Sequence, residues 1–284
     1  MKSVTNLLMA GLSVILFSCE KSEPEKLNAA PVAKAEADTN GKARLASTWE
    51  TVIDQSTFAN YTAFEAAWNY LYPWGSDHNG SARMYGSSTD HNHIYLQDSV
   101  LTIKATRITW DEGSSPHDPW LPIHYHSGAI HAKTNVVIND QFPDWEVKCD
   151  FQVPTVKGSW PAFWLTAVNS WPPESDIMEF KGNSVNWQNT FRTPSDVSTQ
   201  QTTVSGAGSW HNYRAWITKT SPTNVDIHYY IDGVWKAKHS ANFVDKPMYI
   251  IINLQMEGSS GSPGPTADTY LKARNIYIGR TRAF

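Results

Sequence analysis

From residue 94 onward the chain is a succession of short runs rich in β-branched and aromatic residues, broken by clusters of Gly, Pro, Asn, Asp and Ser. Eleven such runs read as strands: 94–96, 100–106, 128–133, 145–153, 160–167, 176–181, 187–192, 211–218, 225–231, 249–256 and 273–278. Asp232-Gly233, set between Tyr229-Tyr230-Ile231 and Val234-Trp235, is a two-residue hairpin signal. Only one stretch has helical spacing. Thr62 and Glu65 stand at capping-box distance, Tyr61, Phe64, Trp68 and Leu71 share a face, and Pro73 ends the run. Many strands with one helix leave few architectures open, and the expected fold is all-β, an antiparallel sandwich.

The chain has 284 residues, 40% of them apolar, which suffices for a sizeable core and excludes wholesale disorder. A net charge of −4 without a basic block argues against a nucleic-acid partner. Two cysteines rule out a disulfide scaffold or a Cys-based zinc site, and Cys149 reads as a strand residue. Trp is unusually abundant, 13 residues beside 12 Tyr and 10 Phe. Flat apolar rings with one polar edge suit sugar faces, so the composition points to carbohydrate.

At the amino terminus, Lys2 precedes an apolar run from Leu7 to Phe17. The run is too short to span a bilayer, which needs roughly 20 residues, but it fits a signal peptide. Leu16-Phe17-Ser18-Cys19 resembles a bacterial lipobox, which would make Cys19 a lipidated first residue. Residues 20–46 are rich in Lys, Glu, Ala, Asn and Pro without apolar period, as in a flexible tether. The expected plan is a signal at 1–18, a tether at 19–46 and a single catalytic domain at 47–284. The expected protein is a monomer on the bacterial outer membrane or cell surface, held to the membrane through lipid alone.

Three acids lie within six positions in Glu174-Ser175-Asp176-Ile177-Met178-Glu179. On a regular strand Glu174 and Asp176 share a face and Glu179 lies opposite; on a helix the two glutamates also diverge. A one-residue β-bulge near Ile177-Met178 brings Glu179 back to the face of Glu174. The carboxyls could then approach the ~5–5.5 Å of a retaining glycosidase. In the run 250–257, Ile250, Ile252, Leu254 and Met256 take one face, while Asn253, Gln255 and Glu257 take the other. A polar groove on the outer face of a sheet is expected there.

Gly158-Ser159-Trp160-Pro161-Ala162-Phe163-Trp164-Leu165, followed by Trp171-Pro172 and Glu174-x-Asp176-x-x-Glu179, resembles glycoside hydrolase family 16. Ser127-Gly128-Ala129-Ile130, Trp210-His211-Asn212-Tyr213 and Pro247-Met248-Tyr249 through Asn253 extend the resemblance over most of residues 83–278. It implies a β-jelly-roll with an open groove and an endo-acting, retaining β-glycan hydrolase of the laminarinase, agarase or carrageenase kind. By resemblance Glu174 is the nucleophile, Asp176 its helper and Glu179 the acid/base. Trp160, Trp164, Trp171, Lys181, Asn189, Arg192, Asn253, Gln255 and Glu257 are the expected substrate-binding residues. No cofactor is expected; a structural calcium occurs in some similar enzymes but has no signature here. Ser175 stands where the family usually has an aliphatic residue, Pro173 where a Gly often precedes the first Glu, and the next strand lacks a His that many members carry.

Lys181 falls on the face of Glu179, where an ammonium favours the ionised carboxylate. Together with Arg192 and Tyr125 or Tyr270 it would also suit a jelly-roll polysaccharide lyase acting on a uronate-containing glycan such as ulvan, glucuronan or alginate. Ser175, Lys181 and Arg192 are compatible with an anionic or sulfated glycan, and neutral β-glucan stays open. A third reading is a non-catalytic glycan-binding lipoprotein, which the survival of both glutamates disfavours. His91 with His93, and His124 with His126, have spacing that could bind a metal on a strand, but such histidines are more often loop or groove residues, and no metal is expected.

Overall fold

A computed structural model of the protein describes residues 47–284; the expected signal, the expected lipidation at Cys19 and the expected tether lie outside the described residues. Two sheets face each other across the core. The first has seven antiparallel strands, in the spatial order Asp196–Thr203, Val185–Thr193, Glu174–Glu179, Ser159–Ala167, Met248–Met256, Ala129–Ala132 and Trp68–Tyr70. The second has ten. Its path runs Val234–Ala241, Val225–Ile231, His211–Lys219, Asp144–Gln152, Thr269–Ala283, Val100–Arg107, Tyr125–Ser127 and Ala82–Met84. Ser47–Ile53 pairs with Thr269–Ala283, and Ile94–Gln97 with Val100–Arg107. One pair departs from the antiparallel expectation: Ala82–Met84 runs parallel to Tyr125–Ser127.

Alternation along the strands assigns the faces. Phe163 and Leu165 of the Trp-rich strand, and Ile250, Ile252, Leu254 and Met256, are fully buried between the sheets against Val147, Phe151, Tyr213, Ile217 and Ile227. Cys149 is buried in the same core, its thiol donating to the Arg274 carbonyl at 3.2 Å. The odd-numbered partners, Tyr249, Ile251, Asn253 and Gln255, sit opposite Thr166, Trp164, Ala162 and Trp160 on the outer face.

The helix is shorter than its apolar spacing predicts. It covers Tyr61–Ala67, capped by Asn60, whose side chain accepts from the Ala63 amide at 2.9 Å. Thr62 and Glu65 form no capping box; Glu65 instead accepts from the Tyr70 hydroxyl at 2.9 Å. Trp68 and Tyr70 leave the helix to pair with Ala132 and Ile130. Aromatic residues gain more by packing on a pleated sheet than by prolonging a short helix.

Ser175, the polar residue in an aliphatic position, does not weaken the core. Its hydroxyl lies 2.7 Å from that of Tyr229, which also meets Thr190 at 2.7 Å, and Thr190 meets His239 Nδ1 at 2.9 Å. A buried polar group costs free energy only when unpaired, and this chain of hydroxyls ties the acid strand to the opposite sheet.

Candidate active site

The bulge expected from the spacing of the acids is present. Asp176 pairs with Trp164, Met178 with Phe163 and Glu179 with Ala162, so the register shifts by one residue between Asp176 and Met178. Ile177 and Met178 are both buried, and Glu174, Asp176 and Glu179 all face an open cleft of about 730 Å³ on the seven-stranded sheet.

Three indoles serve three polar groups there. Trp160 Nε1 donates to Glu179 Oε1 at 2.7 Å, Trp171 Nε1 to Glu174 Oε2 at 2.9 Å, and Trp164 Nε1 to Asn253 Oδ1 at 2.7 Å. Asn189 Nδ2 reaches two acids, Asp176 Oδ2 at 2.8 Å and Glu179 Oε2 at 3.0 Å. The Thr199 hydroxyl donates to Asn189 Oδ1 at 2.8 Å, which fixes the amide with its nitrogen toward the carboxylates. Lys181 Nζ stands 3.2 Å from Glu179 Oε2 and 4.6 Å from the centre of the Trp187 ring, so it lies on the face the sequence implies.

Burial pushes Glu174 up to about 7 from its ordinary 4.5; the Trp171 N–H draws it down, and the neighbouring Glu179 charge adds to the rise. Burial also raises Asp176 well above the usual carboxylate range, reinforced by the charges of Glu174 and Glu179. Three acids on one floor do not all ionise easily, which is the arrangement needed to hold a proton and a carboxylate side by side.

Several expected residues are elsewhere. Arg192 points away from the cleft: it pairs with Asp196 at 2.6 Å and donates to the Ser240 carbonyl at 3.0 Å. Asn189 and Arg192 are three apart on one strand, so alternation puts them on opposite faces. Gln255 is on the expected side of the sheet but roofed over, and Glu257 lies just past the strand's end, turned into the loops. Gln255 Oε1 accepts from the Ala82 amide at 2.7 Å and from the Met256 amide at 2.9 Å. Glu257 accepts from His124 Nδ1 at 2.7 Å and from the Gly264 amide at 2.8 Å. Burial would raise Glu257, but the Gly264 amide and His124 hold it below its ordinary value. These side chains pin the loops that wall the cleft, and Asn253 spends its carbonyl on Trp164.

The residues of the elimination reading do not converge. Tyr125 is buried, receiving a hydrogen bond from Arg107 at 2.8 Å and donating to the Pro265 carbonyl at 3.0 Å. Tyr270 lies in a separate surface depression with Asp268 and Lys272. The paired histidines also separate: His93 meets the Lys104 carbonyl, His124 meets Glu257, His126 meets Glu112, and His91 stacks on Tyr61.

The cleft has walls that strand patterns do not reveal. Trp74, His78 and His117, from the loops at 71–81 and 108–122, line it with Tyr249 and Phe191. His78 stacks near Trp164, centroids 5.9 Å apart, and burial pushes it down to about 4, so it is a neutral imidazole. Tyr249 and Phe191 could have been found by parity with Asn253 and Asn189. The loop residues had no signal beyond the Trp excess.

No family model matches the chain. It is 42% identical over 233 residues to the galactan endo-β-1,3-galactanase of Flammulina velutipes, covering 81% of this chain and 90% of that protein. Among solved structures it is similar to the endo-1,3-β-glucanase of Streptomyces sioyaensis, with TM-score 0.63, 19% identity, and 88% of this chain and 100% of that one covered. It is also similar to SCLam, a non-specific endo-β-1,3(4)-glucanase from family GH16, with TM-score 0.60, 16% identity, and 84% and 93% covered.

Proposed function

The chain belongs to glycoside hydrolase family 16, and from that premise we propose that it cleaves β-1,3-linked galactan chains internally, with retention at the anomeric carbon. One observation carries the chemistry: the bulge after Asp176, which turns Glu174 and Glu179 to the same side of one strand. The choice of galactan over glucan is supported by the galactanase relative, which aligns over nearly its whole length.

Glu174 acts as the nucleophile. Trp171 occupies its Oε2, and among the described residues no other hydrogen bond reaches the carboxylate. Its Oε1 attacks the anomeric carbon as the glycosidic C–O bond breaks, forming a glycosyl ester. Glu179 gives its proton to the departing oxygen, then takes a proton from the water that cleaves the ester. Trp160, Asn189 and Lys181 fix the position of the Glu179 carboxyl through both steps. Burial raises Asp176 well above the usual carboxylate range, which disfavours a further negative charge beside the nucleophile. Of the aromatic walls, Trp74 and Trp171 are exposed and offer faces for sugar rings.

Incubation with β-1,3-galactan, laminarin and a uronate-containing glycan tests the substrate. New reducing ends and short oligomers from the galactan support the reading. Cleavage of laminarin alone refutes the galactan choice, and products absorbing near 235 nm refute hydrolysis. We further place the enzyme on the bacterial surface through lipid on Cys19, supported by the lipobox-like Leu16-Phe17-Ser18-Cys19. Cys19→Ala should then move it from the membrane to the soluble fraction, and unchanged fractionation would contradict the anchor.

A further inference from the structure

Core and cleft do not use all of the 13 tryptophans. Trp68 and Trp145 are buried in the core, and Trp74, Trp160, Trp164 and Trp171 line the cleft. Trp49, Trp216 and Trp235 lie on the far side of the molecule, on the outer face of the ten-stranded sheet. We propose that this face is a second glycan-binding surface, which holds a neutral stretch of the same polysaccharide that the cleft hydrolyses; the identity of that polymer rests on the reading above.

Register builds the surface. One row of outward positions crosses five strands as Tyr277, Lys148, Arg214, Tyr230 and Trp235. The adjacent row runs Gly279, Glu146, Trp216, His228 and Lys238. Five strands at ~4.8 Å spacing make a track of roughly 19 Å. At one end Trp49 stacks on Trp216, with centroids 5.3 Å apart and planes 8° from parallel. Its Nε1 donates to the Tyr277 hydroxyl at 2.7 Å. Gly279 lets the ring lie flat: a Cβ there would fall 2.7 Å from the Trp49 ring. In the middle, the Arg214 guanidinium lies 4.5 Å from the centre of Tyr230 and 5.5 Å from that of Trp216. At the other end Trp235 is 54% exposed, its indole N–H directed at His228 Nδ1, 3.3 Å away.

The chemistry selects the occupant. Rings held flat beside fixed hydrogen-bonding groups match sugar rings, whose faces are apolar and whose rims carry hydroxyls. A protein partner would want a contiguous apolar patch, and here ion pairs interrupt the rings. Arg214 and Lys148 are both taken by Glu146, at 2.5 and 3.2 Å, and Lys238 by Asp226 at 2.9 Å. Each of these cations is engaged by a carboxylate, Arg214 and Lys148 sharing one, so the face has little free positive charge to draw an anionic polymer, and its rings and hydrogen-bonding groups suit a neutral one.

The test uses the full chain made inactive by Glu174→Gln, run in native gels containing the polymer that the wild type hydrolyses. A short oligosaccharide of that polymer is added to fill the cleft. Trp49→Ala with Trp235→Ala should weaken retention about tenfold, since the track then loses a ring at each end. In the active enzyme the same changes should leave kcat/KM on a short oligosaccharide unaltered and lower it on the polymer. Trp235→Ala alone, on an exposed hairpin, gives a folded variant whose retention should also fall. Unaltered retention of folded Trp235→Ala and Tyr230→Ala variants overturns the proposal, as does a parallel loss of oligosaccharide turnover. Failure of the galactan reading is distinguishable, because it shows as wild-type enzyme that leaves galactan uncut.

Discussion

Replacing Glu174 by Gln should make the protein more stable, and only above acid pH. In the folded protein Glu174 has its half-point at about 7, and its ordinary value is 4.5. A proton bound more tightly in the folded state stabilises that state fully below the unfolded value, and the benefit is lost as pH rises through the folded value. At pH 8 the wild type therefore holds a carboxylate in a place that disfavours its charge. At 1.36 kcal/mol per pH unit, the cost is about 3 kcal/mol. Gln has the same shape, its carbonyl can accept the Trp171 N–H, and it has no charge. For a domain of this size each kcal/mol moves Tm by ~2–4 °C, so the variant should melt roughly 6–12 °C higher at pH 8. At pH 4, where the wild-type group is protonated in both states, the two should melt together. Calorimetry at pH 4, 6 and 8 reads this directly. A Tm difference that stays constant across the range, or that shrinks as pH rises, would refute the reasoning.

The same ionisation sets activity. The nucleophile must be a carboxylate, so kcat/KM should fall as pH drops below about 7, well above the 4.5 of an ordinary Glu; a limb near 4.5 would contradict the assignment. Lys181 lowers Glu174 through its charge, so Lys181→Met should move that limb to higher pH while the enzyme stays active, and an unmoved limb would remove Lys181 from the electrostatics of the site. Trp160→Phe removes the donor to Glu179 and leaves a ring in place. A hydrogen bond to a charged group is worth ~1.5–3 kcal/mol, so kcat should fall roughly 10- to 100-fold, and a loss confined to KM would count against a role at Glu179.

The part of this site that could be read in the sequence follows from short-range geometry. Glu174 and Glu179 have the wrong parity for a strand, and a bulge is the smallest change that reunites them; the register shift after Asp176 is that change. The alternation expected along residues 250–256 is present too, with Asn253 and Gln255 opposite Ala162 and Trp160. Parity alone could have removed Arg192, which shares a strand with Asn189 at an odd separation. Coverage of a face was not readable. Gln255 and Glu257 are expected in the groove, but contacts with Ala82 and His124, both far away in sequence, and with Gly264 in the following loop turn them into supports for loops. The edge strands Ser47–Ile53 and Asp196–Thr203 escaped for a related reason: Asp-Val-Ser-Thr-Gln-Gln-Thr-Thr has little apolar alternation, because an edge strand buries little. Why Ser175 can stand in an aliphatic position is not legible locally, because its partner, Tyr229, is on the other sheet.

The assignment of the two glutamates is tested most directly by the stereochemistry of chemical rescue. Glu174→Ala and Glu179→Ala are each given an aryl β-1,3-galactobioside, which needs no leaving-group proton, together with sodium azide. In Glu174→Ala, azide enters the space left by the nucleophile and attacks the face opposite the leaving group, so the product should be the α-glycosyl azide. In Glu179→Ala, the ester on Glu174 still forms and azide displaces it from the other side, so the product should be the β-glycosyl azide. Anomeric coupling constants in the proton NMR spectrum tell the two apart. An α product from Glu174→Ala and a β product from Glu179→Ala is the result this account predicts; the reverse pairing, or the same anomer from both, contradicts it.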